Sequence, residues 1–373
     1  MNIIYKNNNK VALYKTNNVK RYRPTRGVVI FSGGIGGSLA AAYSKDGVNF
    51  TEMNIINTTY NPSDREFWNA GCYSPQLNRL LLVNNMNTGV TTKKFAYSSN
   101  GINWTAATGS TTAPATSCAW SPTLNRFVAV CGTPLGGTGT AMYSSNGISW
   151  TNASYDGGPG NIAIGSYWGS VIWAGNKFVA VGQGDGLGRA YAMYSNDGIT
   201  WVRYALSTSP ADSRFFTGVA WSQSLGRFAA VATDLTTSSS SIYYSSDSIT
   251  WVAGSASLTN LSLRDVCYSD EVELFVAVGL NPNVSGTFAS NKILVSSDGM
   301  NWTSVTASFA APWQDVKYSS ELKKFFVVAQ SNVDGGRTFL YSTDGYTWSP
   351  QTSSYSTNKS YAGIITAPYF GTT

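Results

Sequence analysis

The chain has 373 residues, 43% of them apolar but only 12% charged, against the roughly 25% usual in soluble domains. It contains no histidine, which excludes histidine-based catalytic triads, histidine metal sites and the usual proton shuttle near neutral pH. The net charge of +6 is unevenly held: residues 1–26 carry seven basic and no acidic residues, which leaves 18 basic and 19 acidic groups for the rest. That neutral remainder lacks the cationic surplus a nucleic-acid surface needs.

The first segment, 1–26, holds Lys15, Lys20, Arg21, Arg23 and Arg26 and reads as a basic arm. It has no apolar stretch resembling a secretory signal, and no apolar run in the chain is long enough to cross a membrane as a helix. "GVVIF" (27–31), "LAAAYS" (39–44) and "VNFTEM" (48–53) then supply three short strands. From residue 68 onward a four-strand unit, A to D, recurs. Strand A carries an aromatic residue and ends in a turn, as in "CYSPQLNR" (72–79) and "AWSPTLNR" (119–126). Strand B is apolar throughout: "LLLV" (80–83), "FVAV" (127–130, 178–181 and 275–278), "FAAV" (228–231) and "FFVV" (325–328). Strand C ends in Tyr-Ser and strand D begins near a tryptophan. The last segment, "YAGIITAP" (361–368), aligns with strand A and has no strand B after it. It is expected to close the first unit. The predicted architecture is all-β, a seven-bladed β-propeller of four-stranded antiparallel blades over 27–373, with its ring closed by the C-terminal strand.

Between strands C and D lies the most regular phrase. It occurs as "YSKDGVNFT" (43–51), "YSSNGINWT" (97–105), "YSSNGISWT" (143–151), "YSNDGITWV" (194–202), "YSSDSITWV" (244–252), "VSSDGMNWT" (295–303) and "YSTDGYTWS" (341–349). Its acidic or amide position falls at Asp46, Asn100, Asn146, Asp197, Asp247, Asp298 and Asp344. Asp and Asn both accept backbone N–H groups two residues on, and the glycine that follows tolerates positive φ. A turn survives the Asp-to-Asn exchange; a general acid or a metal ligand rarely does. One copy, at Ser248, lacks the glycine and is expected to be the most strained.

These phrases resemble Asp-box, or BNR, repeats, found in sialidases and many other β-propellers. The resemblance spans about 27–368 and implies the fold, with the box between the third and fourth strands. The sialidase catalytic set it would imply is not matched. "RYRPTRG" (21–27) only loosely echoes that family's Arg phrase. Of the five glutamates, Glu271, Glu273 and Glu321 fall in A–B turns and Glu52 in a strand D, which leaves Glu66.

Strands alternate direction, so A–B turns and boxes share one end while B–C and D–A loops share the other. The latter loops are longer and differ between units, which marks them as the recognition surface. Just before strand A an aromatic column aligns Trp68, Trp168, Phe216, Trp313 and Tyr361. It reads either as packing between blades or as a set of stacking platforms. Arg264, Asp265, Gln314 and Asp315 follow in adjacent units. Two facing carboxylates suit glycosidase chemistry or a cation, or else hydrogen-bonded strand starts lining a polar channel.

No cofactor, metal-ligand spacing or catalytic residue is assigned. The Ser/Thr/Asn/Gly-rich, charge-poor composition resembles phage tail and appendage proteins. The expected function is therefore a non-enzymatic virion module, anchored to other virion proteins by the arm and binding a partner protein or host-surface glycan on its loop face. Nucleic-acid binding and membrane insertion are not expected. The alternatives are a carbohydrate hydrolase and a cytoplasmic protein-assembly scaffold.

Overall fold

The computed structural model describes residues 4–6, 9–11, 27–31, 40–54, 68–85, 95–101, 103–107, 114–132, 141–155, 167–183, 190–206, 214–234, 239–255, 258, 260–284, 287–330, 338–350 and 361–367. None of them is helical. Ile4–Lys6 and Asn9–Val11 form a small antiparallel pair. The rest of the described chain is a β-propeller. Its inner strands are Trp68–Ser74, Ala115–Ser121, Tyr167–Trp173, Arg214–Ser222, Ser262–Ser269, Trp313–Ser319 and Gly363–Ala367. Each packs beside the next, and the last packs beside both Trp313–Ser319 and Trp68–Ser74.

The expectation of seven four-stranded antiparallel blades is corrected. Six blades are four-stranded and antiparallel. The remaining sheet of the ring has five strands, because Ser154–Tyr155 adds to Thr200–Ala205 in parallel. The connection leaving the preceding blade runs along this outer edge, where the Ser154 N–H donates to the Ile199 carbonyl (2.8 Å). Tyr155 holds it there: its hydroxyl accepts from the Ala141 N–H (2.9 Å), and the Arg203 guanidinium lies 4.4 Å from its ring centre. Gly363–Ala367 pairs with Gly27–Phe31, so the first and last described propeller strands share one sheet.

Strand B explains the apolar runs. Leu80, Leu81, Leu82 and Val83 are all fully buried. Leu80 and Leu82 face one inter-blade core, Leu81 and Val83 the next. A strand central in its sheet and sandwiched between two neighbouring sheets needs apolar groups on both faces. Each such side chain contributes about 1.5–3 kcal/mol.

The repeated phrase is a side-chain-built turn. In the box at 296–302, the Gly299 N–H donates to Ser296 Oγ (2.8 Å) and the Ser296 hydroxyl to Asp298 Oδ1 (3.0 Å). The Met300 and Asn301 N–H groups donate to the same oxygen (2.8 Å each), and Trp302 Nε1 to the Gly299 carbonyl (3.2 Å). Asn146 accepts in the same way from Ile148 and Ser149. The box glycines have φ between +70° and +79°. Ser248 adopts the same geometry at φ +70°, and its hydroxyl is buried without a hydrogen bond. Ser248→Gly is therefore expected to stabilise the protein by about 1 kcal/mol, since relief of left-handed strain and of an unsatisfied hydroxyl exceeds the added chain entropy. Urea denaturation of the two forms checks this, and an unchanged or lower midpoint would refute it.

Neighbouring blades are latched at the box end. Arg79, Arg126, Lys177, Arg227 and Lys324 each lie over the tyrosine of their own Tyr-Ser strand. Each also donates to the carbonyl of the Asp/Asn box residue of the next blade: Asn146, Asp197, Asp247, Asp298 and Asp46 respectively. Leu274 breaks the column and instead packs on the Gly345 turn. Arg227→Ala, which removes a charged 2.7 Å hydrogen bond and a cation–π contact, is expected to cost about 1–3 kcal/mol. Chemical denaturation would read it, and a loss below the scatter of repeat melts counts against the latch.

Candidate functional site

Six inner strands carry a register shift at one height, between Trp68 and Ala70, Ala115 and Ser117, Trp168 and Ser170, Phe216 and Gly218, Leu263 and Asp265, and Trp313 and Asp315. A β-bulge re-aims the extra residue. Here the extra residues are Asn69, Thr116, Gly169, Thr217, Arg264 and Gln314, and all six line a central cavity of about 600 Å³. Trp120, Trp173 and Trp221 line the same cavity nearer the A–B turns.

The aromatic column lies on the other side of the bulge. Trp68, Trp168, Phe216, Trp313 and Tyr361 are each at most 3% exposed. Trp168 packs with Val128, Val130 and Ala141 of the preceding blade, and Phe216 with Val179 and Val181. The stacking-platform reading of this column is therefore corrected: the rings fill the space between sheets and offer no open face. Trp313 Nε1 finds its acceptor inside, at the Ser290 carbonyl (2.7 Å).

Asp265 and Asp315 do come together, across two adjacent inner strands, but around a residue that the sequence reading did not single out. Lys317 Nζ lies 2.6 Å from Asp265 Oδ2 and 2.8 Å from Asp315 Oδ1. Each carboxylate also accepts a backbone N–H from the next inner strand: Asp265 from Val316 (3.4 Å) and Asp315 from Ile364 (2.7 Å). Ser117 does the same with Val171 (3.2 Å), so this position is a recurrent inter-blade tie. Gly218 leaves room for it, since a β-carbon there would stand 2.9 Å from Asp265 Oδ1.

The three charges are unequal. Burial pushes the Asp265 carboxyl up to about 8; Lys317 opposes this and Asp315 adds to it. Burial also acts against ionisation of Asp315, yet Lys317 and the Ile364 N–H prevail and hold it below the ordinary carboxylate range. Burial disfavours the Lys317 ammonium, but the two carboxylates outweigh it and raise its pKa. The chemistry of the cluster is thus one shared proton beside one ion pair. The visible signal for Lys317 is its alignment with Cys72, Ala119, Ala220 and Cys267, where a charge is out of place.

The box carboxylates have a different fate. Those of Asp197, Asp247, Asp298 and Asp344 are held below the ordinary range: slight burial works the other way, and the backbone N–H groups and serine hydroxyls they accept from dominate. The boxes sit with the A–B turns, since Asn78 Nδ2 donates to the Ser99 carbonyl (3.3 Å). Asp46, Asn100 and Asn146 occupy the same place in their turns. The arm residues Lys15, Lys20, Arg21, Arg23 and Arg26 lie outside the described residues, as does most of the B–C loop surface. Among the described residues, no three or more His, Cys, Asp or Glu side chains are grouped to hold a metal ion.

The chain matches no protein-family model and no curated protein. Among solved structures it is similar to a putative 6-phosphogluconolactonase from Bacteroides uniformis, at 8% identity over 91% of this chain and 98% of that one, with a TM-score of 0.59. It is also similar to streptogramin B lyase, at 10% identity over 82% and 91% of the two chains, TM-score 0.53. A third similar structure is the β-propeller domain of Cps50 (Swd1) from Myceliophteria thermophila, at 10% identity over 81% and 90%, TM-score 0.50. At these identities the likeness is one of fold, and that fold is the β-propeller.

Proposed function

We propose that the chain is a non-enzymatic binding propeller. One observation carries the reading: Asp265 and Asp315 are each engaged by a backbone N–H of the next blade and by Lys317, so neither is poised against a substrate. The described B strands end away from the boxes, so the variable segments that follow them start from that end of a repeated scaffold, which supports recognition there. The seven Asp-box-like phrases and the charge-poor, Ser/Thr/Asn/Gly-rich composition support placing it on a phage tail or a similar appendage, where the loop face meets a partner protein or a host-surface glycan. The basic segment 1–26 is the anchoring arm in this reading.

The test is incorporation into particles by the full chain and by a form lacking residues 1–26. The truncated form is expected to keep the thermal transition of the full chain and to lose incorporation. Normal incorporation sinks the anchoring role. Glycan turnover that disappears in Asp315→Asn would replace the binding reading with hydrolysis.

A further inference from the structure

One member of the bulge ring differs from its neighbours. Asn69 donates to the Thr116 carbonyl (2.8 Å), Thr116 to the Trp168 carbonyl (2.5 Å) and Thr217 to the Leu263 carbonyl (3.0 Å), each on the following inner strand. Gln314 donates to Gln330 Oε1 (3.1 Å). Arg264 occupies the same position with five N–H donors. It makes no hydrogen bond among the described residues, and its Nε is sealed from solvent. Its electrostatic neighbour is Tyr167, whose hydroxyl already accepts from Asn85 Nδ2 (3.0 Å). A sealed N–H without an acceptor is costly, and native structures rarely leave one so; the rest of the half-buried guanidinium lines the cavity with its donors unpaired by protein.

The charge balance of the cavity narrows what would satisfy it. Asp265 and Asp315 are both engaged by Lys317 through their 2.6 and 2.8 Å contacts. Arg264 is the lining cation with no carboxylate in contact among the described residues; Asp270, the other acidic lining residue, stands in the turn beyond the far end of the same strand. A single guanidinium with no carboxylate in contact matches a monoanion better than a phosphate dianion. The planar guanidinium fork fits a carboxylate. Tyr167 and Phe215, with ring centres 5.0 Å apart, line the cavity as well and supply an aromatic wall. We propose that the channel is a binding site for a small organic monocarboxylate, its carboxylate held by Arg264 and its body against Tyr167 and Phe215. The site lies at the loop end of the inner strands, and its test reads ligand binding at Arg264 rather than incorporation into particles, so the two readings fail separately.

Fluorine NMR of para-fluorobenzoate with the full chain tests this. The probe's resonance is expected to broaden saturably, whereas the neutral para-fluorobenzamide does not. Arg264→Met is expected to weaken binding about tenfold or more, with Arg264→Lys between the two. Because Arg264 donates to no protein group among the described residues, neither variant is expected to lower the ligand-free melting midpoint, which separates lost binding from lost folding. The proposal is overturned by absence of saturable broadening at millimolar probe, by undiminished binding in a folded Arg264→Met, or by inorganic phosphate competing better than benzoate.

Discussion

Lys317→Met is expected to destabilise the protein by about 1–3 kcal/mol at neutral pH, because it leaves two largely buried carboxyl groups without their cation, while the lysine side chain itself is 36% exposed and partly screened. The loss should depend on pH, and the sign follows from Asp265. Its folded pKa of about 8 lies above the ordinary value, so the folded state binds more protons than the unfolded chain between roughly pH 4 and pH 8. Stability from this group is complete below that window and falls as pH rises through it. Asp315, with its lowered pKa, behaves oppositely: its contribution is present above the ordinary carboxylate value and is lost in acid. Removing the lysine takes away the charge that lets Asp315 ionise. The Lys317→Met penalty should therefore grow from pH 5 to pH 8, as read by urea denaturation across that range. Asp265→Asn imitates the protonated carboxyl and is expected to flatten the wild-type decline over the same range. A Lys317→Met protein within about 1 kcal/mol of wild type at pH 8 would show the cluster to be incidental.

Trp168→Ala is expected to cost a further class of energy, about 3–5 kcal/mol, by opening a cavity between two sheets. Trp168 is fully buried among Val128, Val130 and Phe178 and has no face open to solvent. Trp168→Phe, which keeps a ring in the space, should recover much of the loss. A variant that lost partner or glycan binding while keeping its denaturation midpoint would restore the platform reading of the aromatic column.

What could be read from the chain depended on how local the cause was. The box turn is made by residues two and three apart, so Ser-x-Asp-Gly and the tryptophan behind it carried its chemistry openly. The fully apolar Leu80–Val83 run likewise announced a strand buried on both faces. The side of the sheet on which Trp168 and Trp313 lie was not legible, because the bulge that follows each of them leaves no mark in residue type. Lys317 was hidden for a different reason. Its partners are Asp315 two residues away and Asp265 fifty-two residues back, and only the ring brings the second into reach. The extra strand Ser154–Tyr155 is two residues long and shows no alternation, so no period could reveal it. Its evidence lies in the neighbour's edge, where the Ile199 carbonyl waits for an N–H.

The pairing of Gly27–Phe31 with Gly363–Ala367 has a consequence for how the chain is made. As the polypeptide emerges, the first sheet holds Gly27–Phe31 with one hydrogen-bonding edge bare, and its partner is the last propeller strand to be synthesised. While the intervening blades are synthesised that edge is a free template for any extended segment nearby. The ring thus has a seam that forms late and across a very large loop, where closure is slow. Asp315, through its bond to the Ile364 N–H, is the stitch that fastens the incoming strand from its other side.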